Sequence, residues 1–163
     1  MAKITFEGLG EYRELLKSLT EEVDAIVRMG IYDGADVVAD AIRQEIHGLP
    51  TIEEYYLWEK QQTPIRGITE RQKAGLLNGL GLARMSERSG VVSTKVGIAG
   101  YNEVATKKYP RGQPNALIAR SVLRGTSFRL RDDFVGRAVR KARQTAVERM
   151  KGTVDDQIKK RMK

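Results

Sequence analysis

One apolar stripe limits what this chain can become. Val23, Ile26, Val27, Gly30, Ile31, Gly34, Val37, Val38, Ala41, Ile42 and Ile46 recur at steps of three and four residues. That spacing puts them on one side of an α-helix and predicts a single long helix with one buried face. Thr20 is read as its N-cap, followed by Glu21, Glu22 and Asp24 near the positive end of the helix dipole. Gly48 and Pro50 end it. Gly30 and Gly34 each cost about 1 kcal/mol relative to alanine, and they let another backbone approach closely. A helix of this length needs a partner along its stripe, so the rest of the chain has to supply one.

The preceding segment reads as a short strand, Lys3-Ile4-Thr5-Phe6, punctuated by Gly8-Leu9-Gly10. A short helix over residues 11–19 follows, with Tyr12, Leu15, Leu16 and Leu19 on one side. Residues 49–68 contain Pro50, Pro64 and Gly67 and read as a mobile excursion, a stretch of a kind that is often functional. Thr69-Glu70-Arg71-Gln72 is a capping box that opens a short helix through about residue 77. Residues 81–85 and 91–98 read as a β-hairpin, with Val92, Thr94, Val96 and Ile98 on one face. Pro114 starts a further helix that runs to Gly125.

From about Asp133 a second long helix carries Val135, Ala138, Val139, Ala142, Ala146, Val147 and Met150. Gly152 is expected to interrupt it, with Thr153 and Asp156 recapping a last helix. The order implies an α+β fold: a small antiparallel sheet, made of the N-terminal strand and the central hairpin, packed by the long first-half helix and the C-terminal helices. All 163 residues fit one domain, with a basic helical region over residues 133–163.

Charge separates along the chain. Residues 1–70 hold 7 Lys/Arg against 14 Asp/Glu, residues 71–119 hold 8 against 2, and residues 120–163 hold 14 against 5, within a net charge of +8. Such polarity suits either a surface for nucleic acid or a head-to-tail contact between copies, in which the acidic face of one meets the basic face of the next. Solvated charged faces without a partner give the same counts. Arg137, Arg140, Lys141 and Arg143 lie opposite the apolar stripe of the late helix and are candidate contacts for DNA or an acidic partner. No aromatic residue is interleaved with them for base stacking. Tyr55, Tyr56 and Trp58 form an aromatic cluster, read either as a partner anchor or as a cover for the core.

Reactive chemistry is hard to assemble from this sequence. There is no cysteine and one histidine, His47, which sits where a cation favours a helix C-terminus. No metal-ligand spacing, Gly-x-Ser-x-Gly element or phosphate loop occurs, and Gly79-Leu80-Gly81 and Gly97-Ile98-Ala99-Gly100 lack the context of a dinucleotide site. No enzyme activity, cofactor or metal is expected. No apolar run approaches a membrane span, and residues 1–10 lack the apolar core of a secretory signal. The absence of cysteine fits a reducing cytoplasm.

Three blocks resemble the tail-completion, or head–tail joining, proteins of long-tailed (siphovirus-type) bacteriophages and prophages, the gene-product-ten-like morphogenesis family. The first is the N-terminal strand with Gly8-Leu9, then Gly34-Ala35-Asp36-Val37-Val38-Ala39-Asp40-Ala41 in a long helix. The second is Val96-Gly97-Ile98-Ala99-Gly100-Tyr101-Asn102 with Gly112-Gln113-Pro114-Asn115-Ala116-Leu117-Ile118-Ala119-Arg120-Ser121. The third is Arg124-Gly125-Thr126-Ser127-Phe128 before the basic helix of residues 134–150. Residues 49–68 replace an Asp-Thr-Gly element of many relatives, and Asp133 and Gly136 stand where relatives often carry proline. The resemblance implies a virion structural protein, a ring of commonly six copies around the DNA channel. Its neighbours would be the head connector or adaptor and the tail tube or terminator, with assembly in the host bacterial cytoplasm. The alternative from charge is a small basic DNA-binding accessory protein.

Overall fold

A computed structural model describes residues 9–53, 64–88 and 91–161, with side chains in the first helix described from Glu22 onward. The fold is a small α+β arrangement. Helix α1 spans Leu9–His47 and α2 spans Glu70–Gly79. Four short strands follow: β1 (Leu80–Leu82), β2 (Ser86–Arg88), β3 (Val91–Ser93) and β4 (Val96–Ile98). Helices α3 (Asn115–Arg124) and α4 (Phe134–Arg161) complete the chain.

Two expected breaks do not occur. Helix α1 is continuous through residues 11–20, so Thr20 lies inside it rather than at its start. No glycine or proline separates Glu11 from Gly30, and a threonine inside a helix costs only a fraction of a kcal/mol. Helix α4 likewise continues through Gly152. The flanking Thr153 donates to Asp33 at 2.6 Å and Val154 packs at Gly30, which holds the helix across a single weak residue. The helix ends otherwise follow the chain's signals. Helix α1 stops before Gly48, and Thr69 accepts from the Gln72 amide while the Gln72 side chain accepts from the Thr69 amide. Asp133 accepts from the Gly136 amide at 3.1 Å and caps α4. Pro114 stands at the N-cap of α3.

Helices α1 and α4 lie antiparallel, because Glu45 meets Arg137, Asp33 meets Thr153 and Glu22 meets Arg161. At Gly30 and Gly34 atoms of α4 lie directly against the α1 backbone. A Cβ at Gly30 would lie 3.2 Å from the Met150 carbonyl oxygen, and one at Gly34 would overlap the Met150 side chain. The expected packing role of both glycines is therefore realised. Ala35, Ala39, Ala138, Ala142 and Ala146 are buried along the two helices and keep the spacing short.

The central hairpin forms, but as two antiparallel ladders in line: Ser86–Arg88, expected in the connection, is a strand, and residues 83–85, expected in the first strand, lie outside both ladders. Leu80–Leu82 pairs with Val96–Ile98, and Ser86–Arg88 pairs with Val91–Ser93. Between them residues 83–85 lie opposite Thr94 and Lys95, three residues against two, which bulges and bends the ribbon. Val92, Thr94, Val96 and Ile98 are half-buried while their neighbours are exposed, as the alternation predicts. The predicted strand at Lys3-Ile4-Thr5-Phe6 lies outside the described residues.

The core gathers at one end of the helix pair. Ile42, Ile46, Leu49, Ile68, Leu76, Leu80, Ile118, Val122, Phe134 and Ala138 form one buried cluster. Both described ends of the 49–68 segment are tied into it. The Ile52 amide donates to the Ile68 carbonyl and the Ile68 amide to the Pro50 carbonyl, both at 3.0 Å. The excursion is thus anchored at its base, and residues 54–63 lie outside the described residues.

Candidate functional site

The quoted central strings build one structural nexus. Asn115, 2% exposed, donates from Nδ2 to the Ala99 carbonyl at 2.9 Å, and its amide donates to the Gly100 carbonyl. The Asn102 amide donates to the Gln113 carbonyl, and Asn102 Oδ1 accepts from the Val104 amide. Helix α2 lies directly on this loop through Gly75 and Gly79. A Cβ at Gly79 would stand 2.1 Å from the Ala99 carbonyl oxygen, and one at Gly75 would stand 2.5 Å from Asn102 Cβ. Gly112, at φ +107°, places its missing Cβ 1.8 Å from the Asn102 carbonyl oxygen, so no other residue fits there without movement. Of the glycine-rich fragments only Gly79 serves close packing; Gly81 and Gly97 face open space.

The third string sets an inward-pointing cation. Residues 126–129 form a tight turn in which the Thr126 and Arg129 backbones exchange hydrogen bonds. Ile65 lies parallel beside it, its amide donating to the Phe128 carbonyl and its carbonyl accepting from Leu130. This turn drives Arg129 to 2% exposure. Its Nη1 donates to Ser121 Oγ at 2.8 Å and its Nη2 to Gln72 Oε1 at 3.3 Å, while Nε–H has no acceptor. Its guanidinium carbon lies 5.7 Å from the Phe128 ring centre. Burial lowers the pKa of Arg129 to about 10, which leaves it charged at neutral pH. Among the described residues only neutral groups hold this buried cation, which is costly, and sequence reasoning missed it because Arg129 sits among equally basic Arg124 and Arg131. The one available signal is the Gly125-Thr126-Ser127 turn just before it.

The four candidate cations of α4 divide into two groups. Arg137 Nε donates to Glu45 at 2.8 Å and its Nη2 reaches Asp132 at 2.7 Å. Lys141 Nζ reaches the same Glu45 at 2.6 Å. Hydrogen bonds from Lys141 and then Arg137 hold the Glu45 carboxyl below its usual pKa, and Glu45 and Asp132 raise that of Arg137. These two side chains therefore lock α4 to α1. Arg140 is exposed and only loosely paired with Asp133 at 3.7 Å, and Arg143 is exposed. Those two face outward and remain available to a partner. Part of the charge polarity seen in the sequence is thus satisfied within the molecule.

Two further surfaces stand out. An open groove of about 350 Å³ runs beside the β1–β4 ladder, lined by Ile42, Val96, Ile98, Ala116 and Leu123, with Arg120 and Arg124 among its lining residues. At the other end, Arg161 in the last described turn of α4 pairs with Glu22. The 13 residues of α1 before Glu22 run on past that turn for about 20 Å.

Among the described residues no group of three or more His, Cys, Asp or Glu side chains could hold a metal, and no helix is long and apolar enough to cross a membrane. His47 is the exposed last residue of α1, at the C-terminal position expected of a capping cation. Tyr55, Tyr56 and Trp58 lie outside the described residues. No known protein family, curated protein or solved structure matches this chain.

Proposed function

We propose that the protein is a structural component of a long-tailed bacteriophage or prophage that joins the head connector to the tail, acting as a ring of copies around the DNA channel. The reading rests on the sequence resemblance of the three quoted blocks. The observation that carries it physically is a pair of separated surfaces on one rigid element. The apolar groove with its two arginines sits at one end of α1, and the projecting N-terminal turns sit at the other. Leu9 and Ile42 are 33 residues apart on one continuous helix, about 50 Å. Those turns, whose sequence carries Glu11, Glu14 and Glu21, cannot reach the groove of their own chain. A contact between unlike surfaces of successive copies closes into a ring when the rotation permits. Exposed Arg140 and Arg143 would give such a ring weak, sequence-independent contact with passing DNA. The work is mechanical and uses no reacting group.

A small DNA-binding accessory protein is less well supported, because Arg137 and Lys141 are engaged by Glu45. Electron microscopy of assembled tails, with the protein present and with it removed, tests the proposal. The expected result is a ring at the upper end of the tail that disappears on removal, with free heads and tails accumulating. Intact head–tail joints in its absence overturn the reading, as does duplex binding that is tight and falls steeply with salt while no tail association occurs.

A further inference from the structure

Arg129 is, among the described residues, a cation without an acid. Among the described residues its guanidinium meets only Ser121 and Gln72, both neutral, and its Nε–H is buried without an acceptor. It also lines a partly enclosed cavity of about 270 Å³. Gln72, Gln113 and Thr126 line that cavity together with Leu117, Ile118 and Phe128, which give it apolar walls. A guanidinium presents a planar fork of donors that matches a carboxylate. Apolar walls above such a fork favour an organic acid over a small, strongly hydrated inorganic anion.

We propose that this cavity is a receptor for a carboxylate carried on an apolar body, with Arg129 as its counter-charge. The carboxylate can belong to a free small acid or to the terminus of a peptide, and both present the same chemistry. The site does not depend on how copies assemble. Its occupant would convert an energetically costly buried charge into a paired one, so binding should stabilise the fold.

The test uses the full chain labelled with ¹⁵N and three probes: benzoate, its neutral isostere benzamide, and inorganic phosphate. Benzoate is expected to shift the Arg129 Nε–H resonance saturably and to raise the melting temperature. Benzamide should bind at least tenfold more weakly, and phosphate more weakly than benzoate. Leu117→Trp, which fills the cavity mouth from a partly exposed position, should abolish the benzoate shift with Arg129 in place. Arg129→Met should abolish the stabilisation if that variant folds; the wild-type titration decides the matter if it does not. A short apolar peptide with a free C-terminus, compared with its amidated form, separates the two sources. Failure of benzoate to shift the resonance at tens of millimolar overturns the proposal. Equal binding of benzoate and benzamide, or tighter binding of phosphate, also overturns it. Benzoate binding only in the Glu54→Gln, Glu59→Gln double variant would assign the counter-charge to this chain's own acids and overturn it as well.

Discussion

The two ends of the α1–α4 pair are built by different rules. At the base, large side chains interdigitate: Phe134, Ile46, Ile68 and Leu76 are fully buried and touch elements from all over the chain. Along the arm, from Glu22 to about Asp36 against residues 147–161, little apolar surface is hidden. Ile26 and Ala35 are buried there, but Val23, Val27 and Val147, expected on the buried faces, are between 37% and 48% exposed, as are Met29 and Tyr32. The arm is held by close backbone approach at Gly30, by the Met150 side chain seated on Gly34 and by side-chain pairs at its edges. Close packing without much burial gives rigidity of shape but little stability of its own. The arm therefore depends on the base for its folding, and its part-exposed apolar side chains are free to meet another surface.

That contrast can be broken most directly at Phe134. Phe134→Ala should cost about 3–5 kcal/mol by leaving a core cavity, lowering the denaturation midpoint of the whole molecule. Gly34→Leu should cost about 1–3 kcal/mol through overpacking against Met150. Amide hydrogen exchange should then accelerate along residues 22–36 and 147–161 while the base stays protected. If instead both variants accelerate exchange everywhere alike, the two regions are one cooperative unit and the contrast fails.

Glu45→Gln sits at the junction and sharpens it. The folded-state pKa of Glu45 lies below its ordinary value of 4.5, so its contribution is present above that value and is lost as pH falls through the lower, folded value. The variant should lose on the order of 0.5–1 kcal/mol at pH 7, because Arg137 and Lys141 are solvent-screened, and nothing relative to wild type once the carboxyl is protonated. Denaturation curves across the acidic limb check this. Arg161→Ala, at the tip, should change global stability by less than about 0.5 kcal/mol. Its effect should appear only as faster exchange in the last turns of α4.

Legibility from the sequence followed the range of the interaction. The capping box at Thr69, the stop at Gly48 and Pro50, and the alternation from Val92 to Ile98 are local signals, and each appears in place. The expected break at Gly152 failed because the packing of Val154 on Gly30 outweighs a local cost of about 1 kcal/mol. The division of the α4 cations was equally hidden. Arg137 and Arg140 look alike in a helical projection, and what separates them is the pairing of Arg137 with Asp132 and with Glu45, 92 residues away.

The sequence by itself determined the α+β class, the positions of the α2, α3 and central-hairpin segments and the need for a partner along the α1 stripe, because helix period, strand alternation and capping are written over a few residues; it did not determine that α1 and α4 run unbroken through Thr20 and Gly152. Tertiary structure alone decided that α4 is that partner, that Gly75 and Gly79 seat α2 on the Asn102–Asn115 loop, and that Arg129 is buried with no acid beside it among the described residues. Those outcomes depend on which distant groups come within a few ångströms of one another, and proximity in space is not encoded in any short window of residues.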